Sequence, residues 1–146
     1  VLYLRKSKRK ITKLIFHHFG GTPPKGTNVR TVRHMHVEGN GWDDIGYHGL
    51  IMPDGEFQIG RDVDKMGAHA YPANRGSIGI MFVAGLAKGA GYTLPTLAQL
   101  AAARIIIEQS KKLYPGIKLM GHRDVKATLC PGFDIHHWYE TNEVRK

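Results

Sequence analysis

The residues with the clearest chemistry stand near the end of the chain, in the stretch Met120-Gly121-His122-Arg123-Asp124-Val125-Lys126-Ala127-Thr128-Leu129-Cys130-Pro131-Gly132. Cys130 is the only cysteine among 146 residues, and His122 stands eight positions before it. A loop of that length can curl so that an imidazole nitrogen and a thiolate sulfur face the same atom. Such donors suit zinc, which takes nitrogen at about 2.0–2.1 Å and sulfur at about 2.3 Å, usually in a tetrahedron. A structural site fills all four corners with protein, whereas a hydrolytic site uses three ligands and leaves the fourth corner for water. His122, Cys130 and one further histidine would make the hydrolytic set. The pair alone is not diagnostic. A histidine and a cysteine at this separation have no zinc-finger spacing, and a buried cysteine near an unrelated histidine reads the same way.

The third donor has to come from another element. Lys13-Leu14-Ile15-Phe16-His17-His18-Phe19 predicts a buried strand, closed by Gly20-Gly21 and by Pro23-Pro24, which cannot continue a ladder. His17 falls at the C-terminal end of that strand, where open α/β sheets usually place ligands. His18 competes with it. Neighbours on a strand face opposite sides, so the two cannot both reach one metal without distortion.

The remaining elements follow from pattern and punctuation. Asn28 can cap a helix through Val29 to Val37, with Val29, Val32 and His36 on one face and Gly39 as its end. His34 and His36, two apart, point in different directions there, so they suit packing or surface roles rather than chelation. Trp42 to Met52 leads through a loop into a strand; Pro53-Asp54-Gly55 turns it, and Glu56 to Gly60 returns as the hairpin partner. Arg61 to Asn74 reads as loop. Ser77 to Ala84 is an interior strand whose Gly79 implies a close approach. Gly85 to Tyr92 is a glycine-rich connection. Thr96 and Gln99 form a capping box for a helix to about Leu113, apolar over so much of its circumference that it should pack on two sides. Ile117 to Met120 is a short strand feeding the His122–Cys130 loop, and Asp134 caps a last helix through Trp138 and Tyr139. This order predicts a single α/β domain, a central mixed β-sheet flanked by helices.

The chain carries 21 Lys+Arg against 12 Asp+Glu, a net charge of +9. That balance favours an anionic partner such as nucleic acid, a membrane surface or an acidic envelope polymer, without choosing among them. The basic run Arg5-Lys6-Ser7-Lys8-Arg9-Lys10 reads as a solvated arm, which divides the chain into an arm at 1–12 and a catalytic domain at 13–146. One cysteine excludes an internal disulfide. No window approaches the length of a membrane span, and the start shows no signal peptide.

Several separated motifs, in order, give the chain a family resemblance. These are Ile15-Phe16-His17-His18, Gly41-Trp42, Gly46-Tyr47-His48, Asp54-Gly55 with Gly60-Arg61, and Gly67-Ala68-His69-Ala70. Asn74 with Ser77-Ile78-Gly79-Ile80, and Gly121-His122-Arg123-Asp124 with Thr128 and Cys130-Pro131-Gly132, complete the set. From about Leu14 to Glu140 the sequence resembles the zinc-dependent N-acetylmuramoyl-L-alanine amidases, the superfamily of phage lysozyme-type amidases and peptidoglycan recognition proteins; short single-domain members look like phage endolysins. The resemblance implies one zinc ion per chain at a sheet edge, held by His17, His122 and Cys130. It also implies hydrolysis of the N-acetylmuramic acid–L-alanine amide in peptidoglycan, and so a bacteriolytic, antimicrobial activity. Tyr47 matches the family's catalytic tyrosine. Thr128 occupies the second catalytic position, where phage members carry lysine and amidase-active recognition proteins threonine; Lys126 is a possible helper. His18, Trp42, His69 and Asn74 are expected to bind substrate.

Two other readings belong beside this one. In a non-catalytic peptidoglycan-binding module the cysteine ligand is replaced, commonly by serine, and Cys130 argues against that. A nucleic-acid- or polymerase-binding regulator would use the basic face, but the resemblance is poor at the N-terminal arm. The expectation is therefore a monomer acting on peptidoglycan, with no obligate protein partner, no transmembrane segment and no nucleic-acid partner. It would be made in a host bacterial cytoplasm and reach the wall after release.

Overall fold

The computed structural model describes residues 2–84, 86–87, 91–92 and 94–146. Strands β1 (Lys13–His18), β2 (Gly49–Ile51), β3 (Phe57–Ile59), β4 (Ser77–Phe82) and, after a two-residue pair β5 (Leu86–Ala87) and β6 (Gly91–Tyr92), β7 (Lys118–Gly121) alternate with helices α1 (Val29–His34), α2 (Leu97–Leu113) and α3 (Ile135–Thr141). The main sheet runs β3-β2-β4-β1-β7. β1 is parallel to both β4 and β7, β2 is parallel to β4, and only β3 is antiparallel. The sheet is mixed, as expected. Half of the glycine-rich connection at 85–92 lies outside the described residues; β5 and β6, which pair with each other, are the part within them.

The period-2 alternation of the central strands sends two sets of side chains to opposite faces. Leu14, Phe16, Ile78, Ile80 and Phe82 meet Leu100, Ala103, Ile106 and Ile107 of α2, with Phe133 and Trp138 beside them. On the other face Leu50 and Met81 pack with Val32 of α1 and Ile45. His17 and Gly79 belong to that second face, which carries the site.

Three expectations change. The helix after Asn28 is capped as predicted, by a reciprocal pair with Thr31, but ends as an α-helix at His34 and widens into a π-turn over Met35–Gly39. The wider turn brings His36 against the loop that follows, where its Nδ1 accepts from Gly46 N–H at 2.9 Å. Helix α2 packs on one side only, since Leu97 is 86% and Ile105 46% exposed; the apolar count overstated its buried stripe. The N-terminal segment is strapped to the body rather than solvated. Ser7 is buried, with its N–H donating to Tyr114 Oη at 2.7 Å and its hydroxyl to Val63 O at 2.8 Å. Arg5 spans Asp62 and Asp64, each at 2.8 Å. The lysines on either side, Lys6 and Lys8, remain exposed.

Candidate functional site

Two parallel neighbours deliver the donors. β1 ends on His17 and His18, and β7 beside it runs directly into a short 3₁₀ turn, His122–Asp124. Asp124 closes that turn by accepting from Gly121 N–H at 2.9 Å. The loop then returns: Arg123 N–H donates to Cys130 O at 2.8 Å, bringing the two ends of the segment together. The ligand atoms offered by His17, His122 and Cys130 all lie within 4.8 Å of one another. His18, although adjacent to His17, is not in this cluster; its backbone N–H donates to Cys130 Sγ at 3.3 Å.

Three features of the cluster fit a metal ion. His17 Nδ1 is 3.8 Å from Cys130 Sγ, close to the roughly 3.5 Å separating a nitrogen and a sulfur on one tetrahedral zinc. His122 Nε2 is buried without a hydrogen-bond partner, which costs free energy unless something polar meets it. Finally, the donor set of two imidazoles and a thiol can lose its protons to a cation. Burial pushes the Cys130 thiol up to about 11, against a smaller opposing effect of the His18 N–H. Burial, with His69 and His122 nearby, holds His17 well below the ordinary imidazole value.

The cluster opens into a cavity of about 290 Å³ lined by His17, His18, Tyr47, His69, His122, Thr128 and Cys130 among others. The Tyr47 ring stands edge-on to His17 at 5.2 Å. Burial, helped by nearby Cys130, pushes the Tyr47 phenol above its ordinary value, so it keeps its proton at neutral pH. Thr128 Oγ1 accepts from Cys130 N–H at 3.2 Å, which leaves its own proton to donate elsewhere. A second depression of about 270 Å³ adjoins, walled by Trp42, Tyr71, His69, Asn74, His122 and Lys126. Lys126 thus borders this groove and not the cavity at the ligand cluster. Trp42 is 37% exposed and leans on His36, whereas Asn74 spends its side-chain oxygen on the N–H groups of His69 and Ala70, at 2.9 and 2.8 Å.

The sequence marked His69 for substrate binding but did not single out the layer it forms with Ser77 and His48 beneath the cluster. His69 Nδ1 lies 2.9 Å from His17 Nε2, and its Nε2 lies 3.2 Å from Ser77 Oγ. Burial, with His48, His122 and two guanidiniums nearby, lowers His69 to about 3. His48 is fully buried below, its Nε2 donating to Lys65 O at 2.8 Å and its Nδ1 accepting from Gly79 N–H at 3.1 Å. The buried Arg61 guanidinium clamps the loops that carry these rings, donating to Ile45 O and Met66 O, both at 2.8 Å. One signal was available: Gly46-Tyr47-His48 and Gly67-Ala68-His69 share a Gly-x-His pattern. A Cβ on Gly46 would come 2.2 Å from Ala68 O, and one on Gly67 2.8 Å from Gly46 O, so the two segments need glycine to lie backbone to backbone.

An α/β domain whose parallel strands end on two imidazoles and a thiol beside an open cavity has the build of a metal-assisted hydrolase. Residues 7–133 match the family model described as N-acetylmuramoyl-L-alanine amidase. The endolysin of Klebsiella phage KP32 is 40% identical over 140 residues, 94% of this chain and 92% of that protein. The endolysin of Escherichia phage T7 is 37% identical over 139 residues, 94% and 91% of the two chains. Among solved structures, PGRP-SA of Apis mellifera superposes with a TM-score of 0.75 at 29% identity, covering 90% of this chain and 82% of its own. The chain belongs to the N-acetylmuramoyl-L-alanine amidase family. It is an amidase of that class.

Proposed function

We propose that the chain is a zinc-dependent hydrolase of the amide between N-acetylmuramic acid and L-alanine in bacterial peptidoglycan, with the bacteriolytic role its endolysin relatives' name describes. The observation that carries this reading is the convergence of His17, His122 and Cys130 within 4.8 Å at the mouth of a cavity, inside a chain that matches the amidase family over residues 7–133. One zinc ion would be held by those three residues. When bound, it supplies Lewis acidity to a carbonyl and to water at neutral pH.

The chain's own groups do the rest. Tyr47, protonated at the cavity wall, donates a hydrogen bond to the oxygen that gains charge as the amide carbonyl becomes tetrahedral. Thr128, with its proton uncommitted to the backbone, is the second donor. A neutral hydroxyl stabilises an oxyanion less than an ammonium would, so Tyr47 carries more of that stabilisation here. Trp42 and the groove it shares with Asn74 and Lys126 hold the glycopeptide, while His18 shapes the cavity floor and gives its N–H to Cys130 Sγ. The net charge of +9 draws the protein to an anionic wall, an attraction that weakens with salt. The protein acts as a monomer, without a protein or nucleic-acid partner, after release from the cytoplasm where it is made. No helix of the described residues is long and apolar enough to cross a membrane.

Comparing wild type with Cys130→Ser tests the reading. Wild type should bind one zinc and release new L-alanine amino groups from peptidoglycan without new reducing sugar ends. The variant should lose zinc and activity while keeping wall binding. Reducing ends would indicate a glycosidase, and activity surviving both chelation and Cys130→Ser would exclude the metal mechanism.

A further inference from the structure

A hydrogen-bonded row leads away from the ligand cluster, and its far end fixes the direction of every proton in it. Ser77 Oγ donates to Asn74 O at 3.0 Å. A carbonyl can only accept, and a hydroxyl has one proton. Toward His69 Nε2, 3.2 Å away, Ser77 Oγ can therefore only accept, so that nitrogen must carry hydrogen. An uncharged imidazole has a single N–H, and the two nitrogens of the buried His69 ring face Ser77 Oγ and His17 Nε2, with no carboxylate hydrogen-bonded to the ring among the described residues to hold a second proton there. Its Nδ1 is consequently a lone pair. The neighbour of that lone pair at 2.9 Å is His17 Nε2, which must donate. The proton of His17 is thus held on Nε2, and the lone pair falls on Nδ1, the nitrogen that faces Cys130 Sγ at 3.8 Å.

We propose that His69 and Ser77 form a relay that sets the tautomer of His17, so that its Nδ1 lone pair is presented to the ligand cluster before any metal arrives. His69 is a positioning residue acting through His17. The inference rests on the zinc reading above for its purpose, but its geometry stands without a metal. Turning the Ser77 proton toward His69 would reverse the row and put a proton on His17 Nδ1, against the cluster. Asn74 prevents this twice over. Its carbonyl takes the Ser77 proton, and its side-chain oxygen grips the N–H groups of His69 and Ala70. Partners that orient a ligating histidine are usually carboxylates or carbonyls; here a neutral histidine and a serine stand in that place.

The first arm of the test is long-range ¹H–¹⁵N correlation of the imidazoles in metal-free wild type at neutral pH. It should show His17 and His69 both as Nε2–H tautomers, and Ser77→Ala should move His17 toward a mixture. The second arm is zinc affinity, by competition with a chromogenic chelator, alongside melting of each metal-free variant. His69→Ala should bind zinc about ten- to a hundredfold more weakly. His69→Asn, whose Oδ1 can accept where Nδ1 did, should recover most of the loss. An Nδ1–H tautomer for His17 in wild type would overturn the proposal, as would zinc binding by His69→Ala as tight as wild type's. Wild type that binds no zinc would instead sink the zinc reading, with the tautomer spectrum still deciding the relay.

Discussion

Replacing Gly79 with alanine probes the site from underneath, without touching a candidate ligand. Gly79 lies in β4, paired with Ile15 of β1 on one side and next to β2 on the other. Its N–H reaches His48 Nδ1 at 3.1 Å and its carbonyl accepts from His48 N–H at 2.8 Å. The backbone therefore has no room to retreat, and the new methyl must displace what it meets. A Cβ there would stand 2.4 Å from His69 Cγ and 2.5 Å from both Cδ2 and Nδ1. Restoring an ordinary contact of about 3.5 Å moves the ring by roughly 1 Å. The 2.9 Å bond from His17 Nε2 to His69 Nδ1 does not survive a displacement of that size. Overpacking of this kind costs about 1–3 kcal/mol. The assay is urea unfolding of the metal-free protein in a four-protein cycle: wild type, Gly79→Ala, His69→Ala and the double variant. With the ring gone the clash is gone, and alanine should be better than glycine in a strand by about 0.5–1 kcal/mol. The two changes should therefore couple by about 1.5 kcal/mol or more, within the range for residues in contact. Equal costs of Gly79→Ala in both backgrounds would refute the close packing of His69 on β4.

Other expectations are more direct. Tyr47→Phe should keep its zinc, measured by metal analysis, while kcat for amide hydrolysis falls about 10²–10³-fold through loss of one hydrogen-bond donor. His48 is fully buried and held down to about 4 by desolvation. Its folded value lies below the unfolded one of about 6.5, so the unfolded chain binds more protons and stability drains as pH falls from 6.5 toward 4. Between pH 7 and pH 5 this amounts to about 2 kcal/mol of unfolding free energy, and His48→Gln should show a correspondingly flatter dependence in urea titrations of the metal-free protein. Gln99 donates from Nε2 to Ile51 O at 2.9 Å and Val83 O at 3.3 Å. Gln99→Ala should cost about 1–3 kcal/mol by leaving Val83 O without its donor and Ile51 O with the Val83 N–H alone, read as a lower urea midpoint with zinc content unchanged.

How much of this could be read in advance depended on the range over which each feature is determined. The strand ending on His17 and His18 was legible because a short apolar run closed by glycines and prolines has few alternatives, and the caps at Asn28, Thr96 and Asp134 because a cap is a bond between near neighbours. The one-sided packing of α2 was not, because a count of apolar residues ignores how they sit around the helix: Leu97 and Ile105 fall outside the stripe made by Leu100, Ala103, Ile106 and Ile107. The N-terminal strap failed for the opposite reason. A run of like charges looks solvated until acidic partners, here Asp62 and Asp64 more than fifty residues away, are folded against it. The same distance hid the row beneath the ligands. His17, His69 and Ser77 come from a strand end, an irregular loop and a strand start, and nothing in their local spacing announces that they touch. What did announce it was the space around them. A glycine at position 79 in a strand otherwise built of Ser, Ile, Met and Phe is unfavourable for the strand by itself, and is explained only by the ring that occupies the place of its missing side chain. The glycine and the histidine row are therefore two views of one constraint, and the cycle at Gly79 and His69 measures both.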